Sequence, residues 1–158
     1  MPESIFKQVS LDILRLHQKA VRTLLATGCS GSPEIHDAVF VTLNGRYYVW
    51  LSESPQNEPE TGILLIEAED APTRLSWVAG ARKLKKQDSL YRRAAAALQR
   101  RISPTRAKSC QTGCPCLLEL TPQQGRLTVG DNRDFTLSPS DLMKALYPAK
   151  QTIKAFAP

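Results

Sequence analysis

The stretch HDAVFVTLNGRYYVWLSES, residues 36–54, decides how the chain is read. Asn44-Gly45 separates two runs rich in β-branched and aromatic residues. Both turn residues tolerate the positive φ that a type I′ turn demands, so the stretch predicts a β-hairpin. It opens on His36, one of only two histidines in the chain, and closes on Ser52-Glu53-Ser54 before a Pro-rich break. The two ends of the hairpin are therefore the first place to look for a cofactor cleft.

Outward from the hairpin, the residues alternate between strand patterns and breakers. RTLLATG (22–28) reads as a short strand, and GCSGSP (28–33) as a turn. SPQNEPET (54–61) breaks the chain, GILLIEAED is a buried strand, and RLSWVAGARKL is a long one with Gly80 at a bulge. CLLELTPQQGRLTVG reads as a second hairpin turned by PQQG, and FTL as a last short strand. Three segments have helical spacing. LDILRLHQKA (11–20) predicts a short amphipathic helix carrying His17. In QDSLYRRAAAALQRRI, Tyr91, Ala95, Leu98 and Ile102 line one face opposite Arg93 and Arg100, with Asp88 or Ser89 as cap. SPSDLMKAL starts with Ser138 as N-cap and Pro139 at the first helical position. Strands joined by tight turns mean an antiparallel sheet, and the fold expected is mostly β with flanking helices, a split β-barrel.

The 158 residues are enough for one domain with its own core, taken as residues 1–146 with a tail over 147–158. No apolar run approaches the roughly 18 residues of a membrane span, and the first residues lack a signal-peptide core. No membrane association and a cytoplasmic location are expected, with the four cysteines reduced. The net charge of +6 is unevenly spread. Residues 74–108 carry eleven Lys/Arg and only Asp88 as an acid, which leaves the remainder at −4. Phosphate, propionate or nucleic acid would suit such a segment, and so would water. Nucleic acid is the weakest of these, because Tyr91 is the only aromatic residue between Arg82 and Lys108.

Phosphate-loop, dinucleotide-fingerprint, zincin and nucleophile-elbow motifs are all missing. Glu67, Glu69 and Asp70 cluster at a strand end, where a solvated turn explains them as well as acid–base chemistry does. Cys110, Cys114 and Cys116 lie at spacings of four and two. With Cys29 or His36 they would complete a metal site, yet the spacing matches no zinc finger, and Cys116 at a strand start reads equally as core. No metal is assigned.

Four stretches together resemble the pyridoxamine 5′-phosphate oxidase-like FMN-binding split barrels, most of all the HugZ/HutZ heme-utilisation branch. They are RTLLATG through GSPEIHDAVFVTLNGRYYVWLS, NEPETGILLIEAED with RLSWVAGARKL, DSLYRRAAAALQRRI, and LLELTPQQGRLTVGDNRDFTLSPSDL. The resemblance implies a homodimer that binds FMN or heme in a cleft between subunits, for heme utilisation or degradation or for flavin-dependent redox chemistry. If the protein is an enzyme, it is then a flavin- or heme-dependent oxidoreductase.

In the flavin members, the strand after a G-x-P turn supplies a basic contact to the FMN phosphate. Pro33 matches the proline and His36 the contact, while Leu51, Ser52 and Glu53 match residues at the ring or phosphate. Glu53 would repel a phosphate. The cofactor contacts expected are His36, Ser52 as hydrogen-bond donor, Arg82 and Lys83 as anion partners, and Trp77 stacked on a flat ring. No catalytic residue is assigned. Two departures support the alternative of a cofactor-free dimeric binding or scaffold protein. The span SPQNEPE lacks the basic residues of the family's phosphate clamp, and no histidine follows His36 to serve as the branch's iron ligand.

Overall fold

A computed structural model describes residues 3–28, 33–51, 55, 58–68, 72–101, 116–130 and 133–147. In chain order the elements are α1 (Glu3–Lys19), β1 (Ala20–Thr27), β2 (Glu34–Leu43), β3 (Arg46–Leu51), β4 (Thr61–Ala68), β5 (Thr73–Lys83), α2 (Ser89–Arg101), β6 (Cys116–Val129), β7 (Arg133–Leu137) and α3 (Pro139–Leu146). The expected tail, apart from Tyr147, lies outside the described residues, as does Ile102. Among the described residues no helix is long and apolar enough to cross a membrane.

The strands lie in the order β3-β2-β1-β4-β5-β6-β7, and β3 also pairs with β6, which closes six strands into a barrel. Every pairing is antiparallel. The expected antiparallel split barrel with flanking helices is the fold the chain forms.

Closure begins at the first hairpin. Asn44 and Gly45 have φ of 54° and 78°, and Leu43 pairs with Arg46 across them. That fixes the register of β3, and the pleat sends alternate side chains to opposite faces. Tyr47, Val49 and Leu51 point into the barrel, while Tyr48 and Trp50 point outward beneath α2. Because both faces are covered, RYYVWL is almost continuously apolar.

The segment PQQG does not turn the chain. Residues 116–129 form one strand, β6, with Ala79 opposite Pro122 and Val78 opposite Gln124. Gln123 is therefore an extra residue, and the irregularity expected at Gly80 is a bulge on the partner strand instead. Gly80 itself pairs regularly with Thr61 and Thr121. Proline has no ladder donor to lose at a bulge. Gly125 is small because the Trp77 ring lies over it, so that a Cβ there would sit 2.6 Å from the ring. The bulge is also where the barrel splits. β3 pairs with β6 only from Cys116 to Leu120, and beyond the bulge β7 pairs with Gly125–Val129.

α3 contributes Leu142 and Ala145 to the barrel core. Its start is fixed by a reciprocal capping box. The Ser138 hydroxyl accepts from the Asp141 N–H at 3.2 Å, and the Ser138 N–H donates to the Asp141 carboxylate at 2.8 Å.

α1 is much longer than the expected helix over 11–20. It begins at Glu3 and buries Val9, Ile13 and Leu16, while Leu11 is exposed. The charged and polar residues of its first turns hide this periodicity. α2 buries Ala94 and Leu98 against Val41, Trp50 and Leu117. Tyr91 and Ala95, expected at the centre of its apolar face, are only partly covered.

His17 is a core residue. Its Nδ1–H donates to the Ile13 carbonyl at 2.7 Å, and its Nε2 accepts from the Tyr47 hydroxyl at 2.7 Å. Burial, helped by the nearby Arg101 charge, lowers its pKa to about 4. Arg101, at the end of α2, donates to the His17 carbonyl and lies 4.5 Å over the Phe40 ring, tying α2 to α1 and β2.

Two outcomes follow from this packing. Gly125→Ala forces the Trp77 ring to move and lowers stability by about 1–3 kcal/mol in denaturant titrations. His17 is held neutral in the folded state, so its contribution is complete above pH 6.5 and is lost as pH falls towards 4, an effect on the order of 3 kcal/mol. The stability difference between wild type and His17→Phe therefore shrinks over that window.

Candidate functional site

His36 lies where β2 begins, at the barrel end opposite α1. It is on the inward row with Ala38 and Phe40, and is paired with Leu25. Its Nε2 is 3.2 Å from the Glu34 carboxylate, an ion pair when the imidazole is protonated. Two residues along, Ala38 pairs with Leu51, the last residue of β3. The start of β2 and the end of β3 thus share one lip of the barrel. Ser52 follows Leu51 but lies outside the described residues, as do Glu53, Cys29, Cys110 and Cys114. Cys116 is buried in the barrel core.

The other expected contacts are not brought to this lip. Trp77 is fully buried inside the barrel, so its ring has no face open to a planar ligand. Its neighbour across the ladder, Gly125, gives it the room that a ligand-stacking role would have to take away. Arg82 faces outward from β5. Its row runs through Glu119 on β6 and Tyr48 on β3 to Val41 on β2, five residues from His36. Five strand residues span roughly 17 Å. Within one subunit His36 and Arg82 do not form one clamp. Lys83 is exposed at the end of β5.

Around Arg82 stands a cluster that sequence reasoning missed. The Glu119 side chain is 5% exposed, yet it is charged and sits on the outward face. Tyr48 donates its hydroxyl to Oε2 at 2.9 Å, and Arg82 donates Nε and Nη2 to Oε1 at 3.2 and 3.1 Å. Arg46 approaches the same Oε1 at 3.6 Å. Desolvation and the Glu119 bond push the Tyr48 hydroxyl up to about 12, so it remains a donor. The signal available in the sequence was a single charge inside the apolar run CLLEL.

The outward face of β1, β4 and β5 is different. Ile35, Ala26, Ile63 and Val78 stand in register across four strands. Ile35 is 70% exposed, Ile63 49% and Val78 44%. Leu24 and Leu65 extend the patch one row further. The row beyond carries Arg22, Glu67 and Arg74 in register, so Glu67 sits between two arginines and not beside a second carboxylate among the described residues. A separate groove of about 480 Å³ runs between α1 and β7, lined by Ile5, Val9, Val129 and Phe135 with Asp12 and Arg133. Among the described residues, none of the expected cofactor contacts lines it.

No family model and no curated protein matches the sequence. Solved structures do match. A protein related to general stress protein 26, of the pyridoxinephosphate oxidase family, from Clostridium acetobutylicum covers 90% of this chain and 99% of its own, at TM-score 0.62 and 12% identity. HutZ from Vibrio cholerae, described as a heme storage protein, covers 80% and 93% at TM-score 0.59 and 23% identity. Campylobacter jejuni ChuZ covers 89% of this chain and 62% of its own at TM-score 0.64 and 14% identity. This chain has the split-barrel fold of the pyridoxamine 5′-phosphate oxidase-like proteins. Ile35, at the end of the outward apolar row, precedes His36 in the chain, and the two side chains lie on opposite faces of β2.

The Glu119 cluster is testable on its own. Tyr48→Phe removes one donor from a buried carboxylate and costs about 1–3 kcal/mol in chemical denaturation.

Proposed function

We propose that two copies of this chain pair through the outward face of β1, β4 and β5 and hold a flavin or heme cofactor in the cleft at the seam. Residues 1–146 are the single domain of this cytoplasmic protein and 147–158 its tail. The observation that carries the reading is the in-register apolar row of Ile35, Ala26, Ile63 and Val78 on a face left open to water among the described residues. A patch of this kind on a globular protein marks a contact surface. A twofold axis would lay the same face of each copy on the other. The likeness to HutZ, a heme storage protein, supports a cofactor of this class.

Heme fits the lip better than FMN does. The strand neighbours of His36 in its row are Leu25, Leu64 and Trp77, none of them a base to receive a phosphate, and Glu34 adds negative charge. An imidazole in line with apolar Leu25 and Leu64 suits a porphyrin, with His36 as iron contact and Ser52 as hydrogen-bond donor. His17 is ruled out as ligand by burial and by its Tyr47 bond. Bound heme would supply the redox or iron chemistry, and this chain binding and orientation. The second reading, a cofactor-free dimer, is favoured by the base-free span 54–60 and by the lack of any histidine after His36.

Sedimentation equilibrium and visible titration with hemin and FMN test both readings. The expected result is a dimer whose Soret band falls on His36→Ala and which Ile63→Lys converts to monomers. A wild-type monomer at all concentrations overturns the seam. A dimer that stays colourless with both ligands establishes the cofactor-free reading.

A further inference from the structure

We infer that Arg46 and Arg82, assembled by the buried carboxylate of Glu119, form a binding site for a phosphate-type oxyanion on the outward face of β3, β6 and β5. The site does not depend on the dimer or on the cofactor cleft, since its row meets β2 five residues from His36.

The first reason is charge balance. One carboxylate, already bonded to Tyr48, is neutralised by one guanidinium, and Arg82 fills that role with two hydrogen bonds to a single oxygen. Arg46 lies 3.6 Å from that same oxygen, beyond a hydrogen bond, and it makes none with any other described residue. Its charge is surplus to holding Glu119.

The second reason is geometry. Two like charges converging on one oxygen repel each other, and a structural ion pair needs only one of them. Both guanidiniums sit within 3.6 Å of Oε1, close enough for one tetrahedral anion to bridge them. Their side chains are 50% and 55% exposed, while Glu119 beneath them is 5% exposed. The buried acid therefore anchors two guanidiniums, and their N–H groups not bonded to it can meet phosphate oxygens in pairs. Thr121, which follows in the same outward row of β6, is exposed beside them. The ligand class is a phosphate group, free or as the terminal monoester of a larger molecule.

Calorimetric titration of the full chain at low ionic strength with inorganic phosphate, and separately with a simple phosphate monoester such as glycerol 3-phosphate, tests the site. One saturable site per chain is expected. Arg46→Ala should weaken it at least about tenfold. That variant leaves every hydrogen bond to Glu119 in place, so its fold is expected to match wild type by circular dichroism. Arg82→Ala should weaken binding similarly, whereas Arg93→Ala, an exposed base on α2, should not. Tighter binding of the monoester identifies an esterified ligand, and equal binding identifies free phosphate. No saturable heat with either probe, or equal affinity in Arg46→Ala and Arg93→Ala, overturns the inference. Hemin titration of the same Arg46→Ala protein should be unchanged, which separates this site from the proposed cofactor cleft.

Discussion

The ladder between β3 and β6 is the constraint on which the rest of the structure depends. Without it the strands would form an open sheet with two free edges, and β3 would expose a row of unpaired backbone groups. The pairing runs only from Cys116 to Leu120. From Leu118 to Leu120 β6 is held by β3 on one side and β5 on the other. The bulge at Gln123 then releases it from β3, and β7 and α3 fill the opening. One short ladder thus creates the barrel, its split, and the outward row in which Tyr48, Glu119 and Arg82 meet.

Much of this was legible in the residues. The Asn44-Gly45 hairpin and the capped start of α3 follow from local chemistry, because positive φ and a reciprocal cap are demands that few residues meet. What misled was also local. PQQG has the composition of a turn, and nothing within four residues reveals that its proline borders a bulge and its glycine fills a space claimed by Trp77. Trp77 itself reads as a ligand platform until the partner strand is known. The length of α1 escaped for the opposite reason, since Val9 continues the apolar spacing only once Ile13 and Leu16 are known to share a buried face.

The candidate residues divide in the same way. His36 drew notice because histidine is rare in this chain and the hairpin marks its place. Glu119 was missed because a lone acid in a strand gains meaning only from cross-strand partners, here Tyr48 and Arg82, seventy-one and thirty-seven residues away. Position also separates what composition had grouped. The basic stretch around Arg82 serves the outward face of β5 and β6, while the lip at His36 is apolar and faintly acidic. The basic cluster and the His36 lip therefore fall in different places on one small barrel.

The most direct measurement is a nuclear Overhauser experiment on isotopically labelled protein, reading contacts between backbone protons across β6. Closure predicts cross-strand contacts from Tyr48 to Glu119 and from Gly125 to Trp77, with β6 continuous through Pro122. Contacts between Thr121 and Arg126, as in a hairpin turned by residues 122–125, with none from β3 to β6, would contradict the barrel and everything placed upon it.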